Sequence, residues 1–423
     1  MNHFQYRNGE MFAEEVPLKH IAREVGTPAY IYSLATLKRH YKVFDQAFVK
    51  VPHIVCFSVK ANSNLALLRT FAKEGSGFDI VSGGELFRAL KAGGDPKKIV
   101  FSGVGKKRQE IEYALNTGIL MFNVESEQEL IVLDEIAAAA GKKAPISLRV
   151  NPDVDPQTHP YISTGMKKAK FGVDIKKSLE TYKKAVTLAN IDVVGVDCHI
   201  GSQLTSVTPF VDALAKVREY LDRVLAGEMK KEGGEIRYLD LGGGLGINYH
   251  DETPPLPEEY ANAIVQGLEG LNVTLILEPG RVIVGNAGIL LTEVQYIKET
   301  ETKTFVIVDG GMNDLIRPAL YGSYQAIQPV MKNNAETIVA DVVGPICESG
   351  DFFAKDREIT RPKRGDLLAV MSAGAYGFTM ASNYNSHPKP PEVLVDGDKY
   401  YVVRRRESMD DLINGEVIPA SLQ

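Results

Sequence analysis

Four places in the 423-residue sequence set chemically capable side chains directly after short apolar runs. Lys60 follows Ile54–Val59 (IVCFSV). A charged lysine is costly to bury at the inner end of an apolar strand, and desolvation lowers its pKa. Such an amine is a nucleophile suited to condense with a carbonyl group. A lysine that snorkels to solvent explains the same letters, and taken alone that reading wins. Gly242-Gly243-Gly244-Leu245-Gly246 follows Ile236–Leu241. Glycines let backbone N–H groups converge on an anion. The dinucleotide pattern G-x-G-x-x-G fails at Ile247, and no G-x-x-x-x-G-K-[ST] occurs. A phosphate site fits this run; a ligand-free tight turn needs only one of its four glycines.

Glu278-Pro279-Gly280-Arg281 follows Val273–Leu277. A carboxylate there can hold a heteroaromatic N–H, and the arginine can fork onto a carboxylate or phosphate. An internal Glu–Arg ion pair accounts for the two equally well. His199 ends Val193–His199 (VVGVDCH). A neutral imidazole can stack on a planar ring, although a lone histidine is more often structural. Ser202 can donate to a phosphate or cap a helix.

The elements that would position these groups are regular. Eight runs rich in Val and Ile recur: Ile54–Val59, Phe78–Val81, Ile99–Ser102, Met121–Val124, Ile146–Val150, Val193–His199, Ile236–Leu241 and Val273–Leu277. They read as strands buried on both faces. Helical patterns lie between them. Residues 126–140 open with Ser126 and Glu129 at capping-box spacing and stop at Gly141. Residues 63–72, 83–92 and 210–225 carry similar apolar faces. Eight strand–helix units predict a (β/α)8 barrel over 36–280, with a doubly wound sheet as the alternative. In such a barrel reactive groups sit at the C-terminal strand ends, where all four places fall.

After Arg281 extended runs dominate: 288–298, 304–308, 337–343, 366–372 and 392–403, the last with an Asp396-Gly397 hairpin signal. The fold class is therefore α/β plus all-β. Residues 1–35 and 281–423 are expected to form a mostly antiparallel β-sandwich or barrel domain. Tyr30-Ile31-Tyr32 is a candidate extra strand.

The net charge of −6 and pI near 5.9 argue against a nucleic-acid partner. The basic runs Lys167-Lys168 and Arg404-Arg405-Arg406 read as solvated faces. No apolar stretch approaches the roughly 20 residues that span a bilayer. The start, MNHFQYRNGE, lacks a secretory h-region. Cys56, Cys198 and Cys347 make no disulfide framework, so a reducing cytoplasm is expected. The eight histidines show no metal-binding pattern, so no metal is expected. The four places together supply a lysine, a phosphate cradle, a carboxylate for a ring nitrogen and a stacking ring. That set suits pyridoxal 5′-phosphate.

At this point the chain resembles a known family, the fold-type III pyridoxal-phosphate decarboxylases, and most closely the branch acting on diaminopimelate. The likeness runs from Gly26-Thr27-Pro28 through Val59-Lys60-Ala61-Asn62, Phe78–Glu85 (FDIVSGGE), His199–Gln203 (HIGSQ), Gly242–Gly246 and Glu278–Arg281 (EPGR). It continues in Asn313–Tyr321 (NDLIRPALY), Gly344–Asp351 (GPICESGD), Gly374–Gly377 (GAYG) and Asn383–Ser386 (NYNS). The resemblance implies that Lys60 carries the cofactor and His199 stacks on its ring. Ser202, Gly243, Gly244, Gly280 and Arg281 are implied around the phosphate and ring, and Glu278 at the pyridine nitrogen. Asp79 and Arg149 fall at positions near the cofactor in relatives. Arg281, Arg317, Tyr321, Glu348 and Tyr376 match substrate positions, with Tyr376 near the cofactor as well, and Cys347 matches the proton donor.

In the family Cys347 and Glu348 reach the site from a second subunit, which implies a homodimer with shared sites. Glu348, where ornithine decarboxylases have aspartate, suits a substrate with an amino group and a carboxylate at its far end. The implied reaction is meso-2,6-diaminopimelate to L-lysine and carbon dioxide, in lysine biosynthesis. Phe57-Ser58 replaces a common Tyr-Ala, and His387 stands where arginine is common. The rival readings are a decarboxylase of ornithine, arginine, carboxynorspermidine or lysine, and a non-catalytic antizyme-inhibitor-like homologue. A phosphate-binding sugar enzyme on a similar barrel gives Lys60 and Cys347 no joint role.

Overall fold

Runs of Val, Ile and Phe with little alternation bury both strand faces, and parallel strands are the arrangement that covers both. The computed structural model describes residues 2–155, 170–227 and 236–422. Within it the eight runs become the strands His53–Ser58, Gly77–Ile80, Ile99–Phe101, Met121–Val124, Ala144–Asn151, Ile191–Asp197, Tyr238–Asp240 and Thr274–Leu277. Every neighbouring pair is parallel, and Ile276 opposite Ile54 closes the ring. The doubly wound alternative is thereby set aside. These elements belong to one compact unit, Lys38–Ile283.

Helices follow the strands as the periodicity requires. Leu65–Lys73 is capped by Asn64, whose side chain accepts from the Ala66 N–H. Glu127–Ala140 starts with Ser126 accepting from the Glu129 N–H and ends at Gly141, at φ 62°. The expected capping box is only half made. The Glu129 carboxylate takes the N–H of Glu125 and the ammonium of buried Lys106 instead. A full charge partner outcompetes one more backbone N–H.

The other unit is Met1–Leu37 with Val284–Gln423. Its long strand Gly288–Glu299 pairs antiparallel with Ala29–Ser33, Leu367–Val370 and Thr304–Val308. Ala29–Ser33 contains the candidate strand Tyr30-Ile31-Tyr32, which lies between Gly288–Glu299 and Glu392–Asp396. Glu392–Asp396 and Lys399–Arg404 form the expected hairpin. The pairings are mostly antiparallel; Thr304–Val308 with Thr337–Val343 and Ala29–Ser33 with Glu392–Asp396 are parallel. A small sheet, Phe4–Arg7, Glu10–Ala13 and Val16–Pro17, and the helix Leu18–Val25 cover one apolar cluster with Ile31, Ile289, Leu291 and Val393.

The run Arg404-Arg405-Arg406 departs from a solvated face. Arg404 pairs with buried Glu392 and lies over the Phe378 ring, and Arg406 donates to Pro28 O. Only Arg405 is exposed, and it pairs with Asp411. The planar guanidinium lets an arginine bury its stem and stack where a lysine would stay hydrated. The pair Lys167-Lys168 lies outside the described residues.

Candidate active site

Lys60 sits in the one-turn helix Val59–Ala61 at the end of the first barrel strand. Its ammonium pairs with the fully buried carboxylate of Asp79, from the second strand. Ser58 Oγ donates to the same Asp79 oxygen at 2.8 Å. Neither sequence reading, a desolvated amine or a lysine snorkelling to solvent, foresaw this pair: the partly exposed ammonium is compensated by a buried acid from the next strand. The other Asp79 oxygen is buried without a hydrogen-bond partner among the described residues.

His199 follows the sixth strand, and its Nδ1 accepts from the Gly243 N–H at 3.3 Å. Burial, together with the charges of Arg149 and Lys60, pushes its pKa well below the usual imidazole value. The ring is therefore neutral and carries its proton on Nε2. The glycine loop is built without room for side chains. A Cβ on Gly243 would lie 2.2 Å from Glu278 O, and Gly242 takes a φ of 64°. Gln203 clasps this loop: its amide donates to Ile247 O at 2.7 Å and accepts from the Ile247 N–H at 3.1 Å.

Arg281 is buried and donates to Tyr249 Oη at 2.7 Å and Ser202 Oγ at 3.0 Å. Glu278 takes its hydrogen bonds elsewhere, from Ser102 Oγ at 3.3 Å and Asn123 Nδ2 at 3.4 Å. Burial and the carboxylates of Asp240 and Asp79 push Glu278 well above the usual carboxylate range. Burial does the same to Asp240, up to about 7, and to Asp197. Arg149 answers part of this charge through Glu125 at 2.8 Å and Asp197 at 3.6 Å.

The barrel unit thus brings together Lys60, Asp79, Arg149, His199, Ser202, Gly243, Gly244, Glu278, Gly280 and Arg281 at its C-terminal strand ends. Sequence reasoning missed Gln203, Tyr249, Asn123 and Asp240 as parts of this assembly. The signal for the last two was a single polar letter at the end of an apolar run, as in FN and LD.

The other predicted residues belong to the sheet unit. Arg317 and Tyr321 share the short helix Arg317–Tyr321, where Arg317 is buried. Tyr376 is half-buried with a φ of 55°. Cys347 and Glu348 are exposed neighbours on one loop. Asp351 fixes that loop by accepting the Met312 and Ile346 N–H groups, both at 2.7 Å. The Cys347 N–H donates to Asn385 Oδ1 at 2.7 Å, and Tyr384 Oη to Glu348 at 3.3 Å.

The residues present fit pyridoxal 5′-phosphate. A lysine stands beside an acid with an unused buried oxygen, and a neutral imidazole backs a glycine loop that packs closely against the Glu278 and Gly201 carbonyls. This barrel with its separate sheet unit has the plan of a fold-type III cofactor-dependent enzyme. Residues 34–285 match the family model for the pyridoxal-binding domain of pyridoxal-dependent decarboxylases. The chain is 56% identical to the diaminopimelate decarboxylase of Pseudomonas aeruginosa over 98% of its length and 99% of that protein. Its fold superposes on diaminopimelate decarboxylase from M. jannaschii in co-complex with L-lysine with a TM-score of 0.94, at 40% identity and full coverage of both chains. The Helicobacter pylori enzyme complexed with L-lysine gives 0.90 at 44% identity, covering 94% of this chain and 98% of that one. The chain belongs to the pyridoxal-dependent decarboxylases, and pyridoxal 5′-phosphate is its cofactor.

Proposed function

We propose that the chain decarboxylates meso-2,6-diaminopimelate to L-lysine and carbon dioxide. The observation that carries this is the full-length likeness, in sequence and fold, to diaminopimelate decarboxylases, two of them holding L-lysine. Lys60 tethers the cofactor and Asp79 holds that amine in place. When bound, the cofactor's ring supplies the sink for the electron pair that the departing carboxylate leaves behind. His199 would offer the ring a neutral plane to stack on. Glu278 would hold the proton on the ring nitrogen; Lys60 and Arg149 favour its ionised form against the burial and the neighbouring acids that oppose it. Ser202, Gly243, Gly244, Gly280 and Arg281 would hold the phosphate, and Arg149 balances the buried acids Glu125 and Asp197.

Cys347 delivers the proton to the α-carbon. Arg281, Arg317, Tyr321, Glu348 and Tyr376 hold the substrate, so that its reacting bond is oriented before carbon dioxide leaves. We assign cofactor binding to residues 36–280 together with Arg281, which the compact unit Lys38–Ile283 includes, and completion of the site and of a homodimer to 1–35 and the rest of 281–423. The exposure of Cys347 and Glu348 on a fixed loop supports their serving a second copy. Three free cysteines, two of them buried, support a reducing cytoplasm. Carbon dioxide and lysine are to be measured from meso-diaminopimelate with and without added pyridoxal 5′-phosphate. Cofactor-dependent release of both is expected. Faster decarboxylation of ornithine, or a colourless chain that releases nothing, would overturn the proposal.

A further inference from the structure

Asn123, on the strand Met121–Val124, is fully buried among acids. Its Nδ2 lies 3.1 Å from Asp240 Oδ2, 3.4 Å from Glu278 Oε1 and 3.0 Å from Ser102 Oγ. Ser147 Oγ donates to its Oδ1 at 2.6 Å. An amide nitrogen has two protons, so these three acceptors share them. A flipped amide would set its oxygen against both carboxyls, and Ser147 marks the opposite side as the place for that oxygen. The surroundings are acidic: Asp79, Asp197 and Asp240 face Glu278, against the cations Lys60 and Arg149, with the Cys56 thiol nearby. Without a donor in the middle, two carboxyls in such a place hold on to protons more tightly still.

We propose that Asn123 is a positioning residue that ties the Glu278 carboxyl to Asp240 and, by donating to both, favours the charged form of Glu278 and aims it for the cofactor's ring N–H. The proposal rests on Glu278 being the ring-nitrogen partner. Losing the amide donors raises the Glu278 pKa, so cofactor binding weakens most at low pH and recovers as pH rises.

The test is the dissociation constant of pyridoxal 5′-phosphate for the full chain between pH 6 and 9, with the melting temperature of each variant alongside. Asn123→Asp keeps the shape, removes the donors and adds an acid. It is expected to raise the constant about tenfold at pH 7, the worth of a hydrogen bond to a charged group, and more at pH 6. Ser147→Ala, which leaves both acids intact, is expected to move the profile the same way by a smaller factor. A wild-type constant and pH profile in Asn123→Asp, whatever its melting temperature, overturns the proposal. If that variant does not fold, Ser147→Ala decides on the same criterion. Glu278→Gln separates the two readings: an unchanged profile in it refutes the ring-nitrogen role itself, whereas a shift there but not in Asn123→Asp refutes only the part given to Asn123.

Discussion

In the barrel unit the candidate residues are buried and hold one another: Asp79 takes Lys60 and Ser58, Gly243 backs His199, and Asn123 joins Asp240 to Glu278. In the sheet unit Cys347 and Glu348 stand exposed, on a loop held through its backbone and through Tyr384 donating to Glu348. A site that must grip a cofactor gains from groups already oriented before it binds. Side chains that meet a substrate in another copy can be left in solvent until that copy covers them. One unit therefore carries interlocked buried groups, and the other carries exposed ones.

Replacing Lys60 tests the interlocked group most severely. Lys60→Ala is expected to abolish turnover and the yellow colour that borohydride bleaches; an active yellow variant would break the comparison at its first term. Cys347→Ala is expected to cost about 10²- to 10⁴-fold in turnover while leaving cofactor affinity unchanged, as loss of a general acid does. Mixing Lys60→Ala with Cys347→Ala chains should restore about a quarter of normal activity, because random twofold pairing rebuilds one site in half of the dimers. No recovery would show that each chain completes its own site.

A smaller effect is expected from Gln203→Ala, which removes two hydrogen bonds worth about 1 kcal/mol each from the glycine loop. The cofactor dissociation constant should rise about tenfold, with the melting temperature lowered by a few degrees. An unaltered constant would mean that the loop holds its shape without the clasp.

The smallest effect concerns pH. Asp240 has a folded pKa of about 7, above its unfolded value, so the stability gained by protonating it is complete at acid pH. That contribution is lost as pH rises through about 7. The cofactor-free chain should therefore melt a few degrees lower at pH 8 than at pH 5, and Asp240→Asn should flatten the slope. A melting temperature that rises over this range would contradict the proton-holding interior.

Much of the fold was legible because burial on both faces leaves a plain mark, runs such as IVCFSV and VTLIL that cannot sit at a surface. The strand Phe352–Thr360 left no such mark. It lies at the end of its sheet and carries Lys355, Asp356, Arg357 and Glu358 in succession, as strands with one open edge do. Ile327–Pro329 and the first three strands are too short for any period to show. In the site, Lys60 and the glycine run were visible because each breaks a rule of ordinary strand ends. Asn123 and Gln203 were not, because their work is to hold other residues and a lone amide has no spacing to read. The pairing of Lys60 with Asp79 was hidden for the same reason: two strands supply it, and only their register sets the two groups side by side.

The central claim is that one amine at the barrel's first strand end carries the cofactor. Reduction of the yellow full-length chain with borohydride, followed by peptide mass spectrometry, tests it directly. The account predicts a single phosphopyridoxyl group on Lys60. The label on Lys106 or any other lysine, or no label at all, would contradict it.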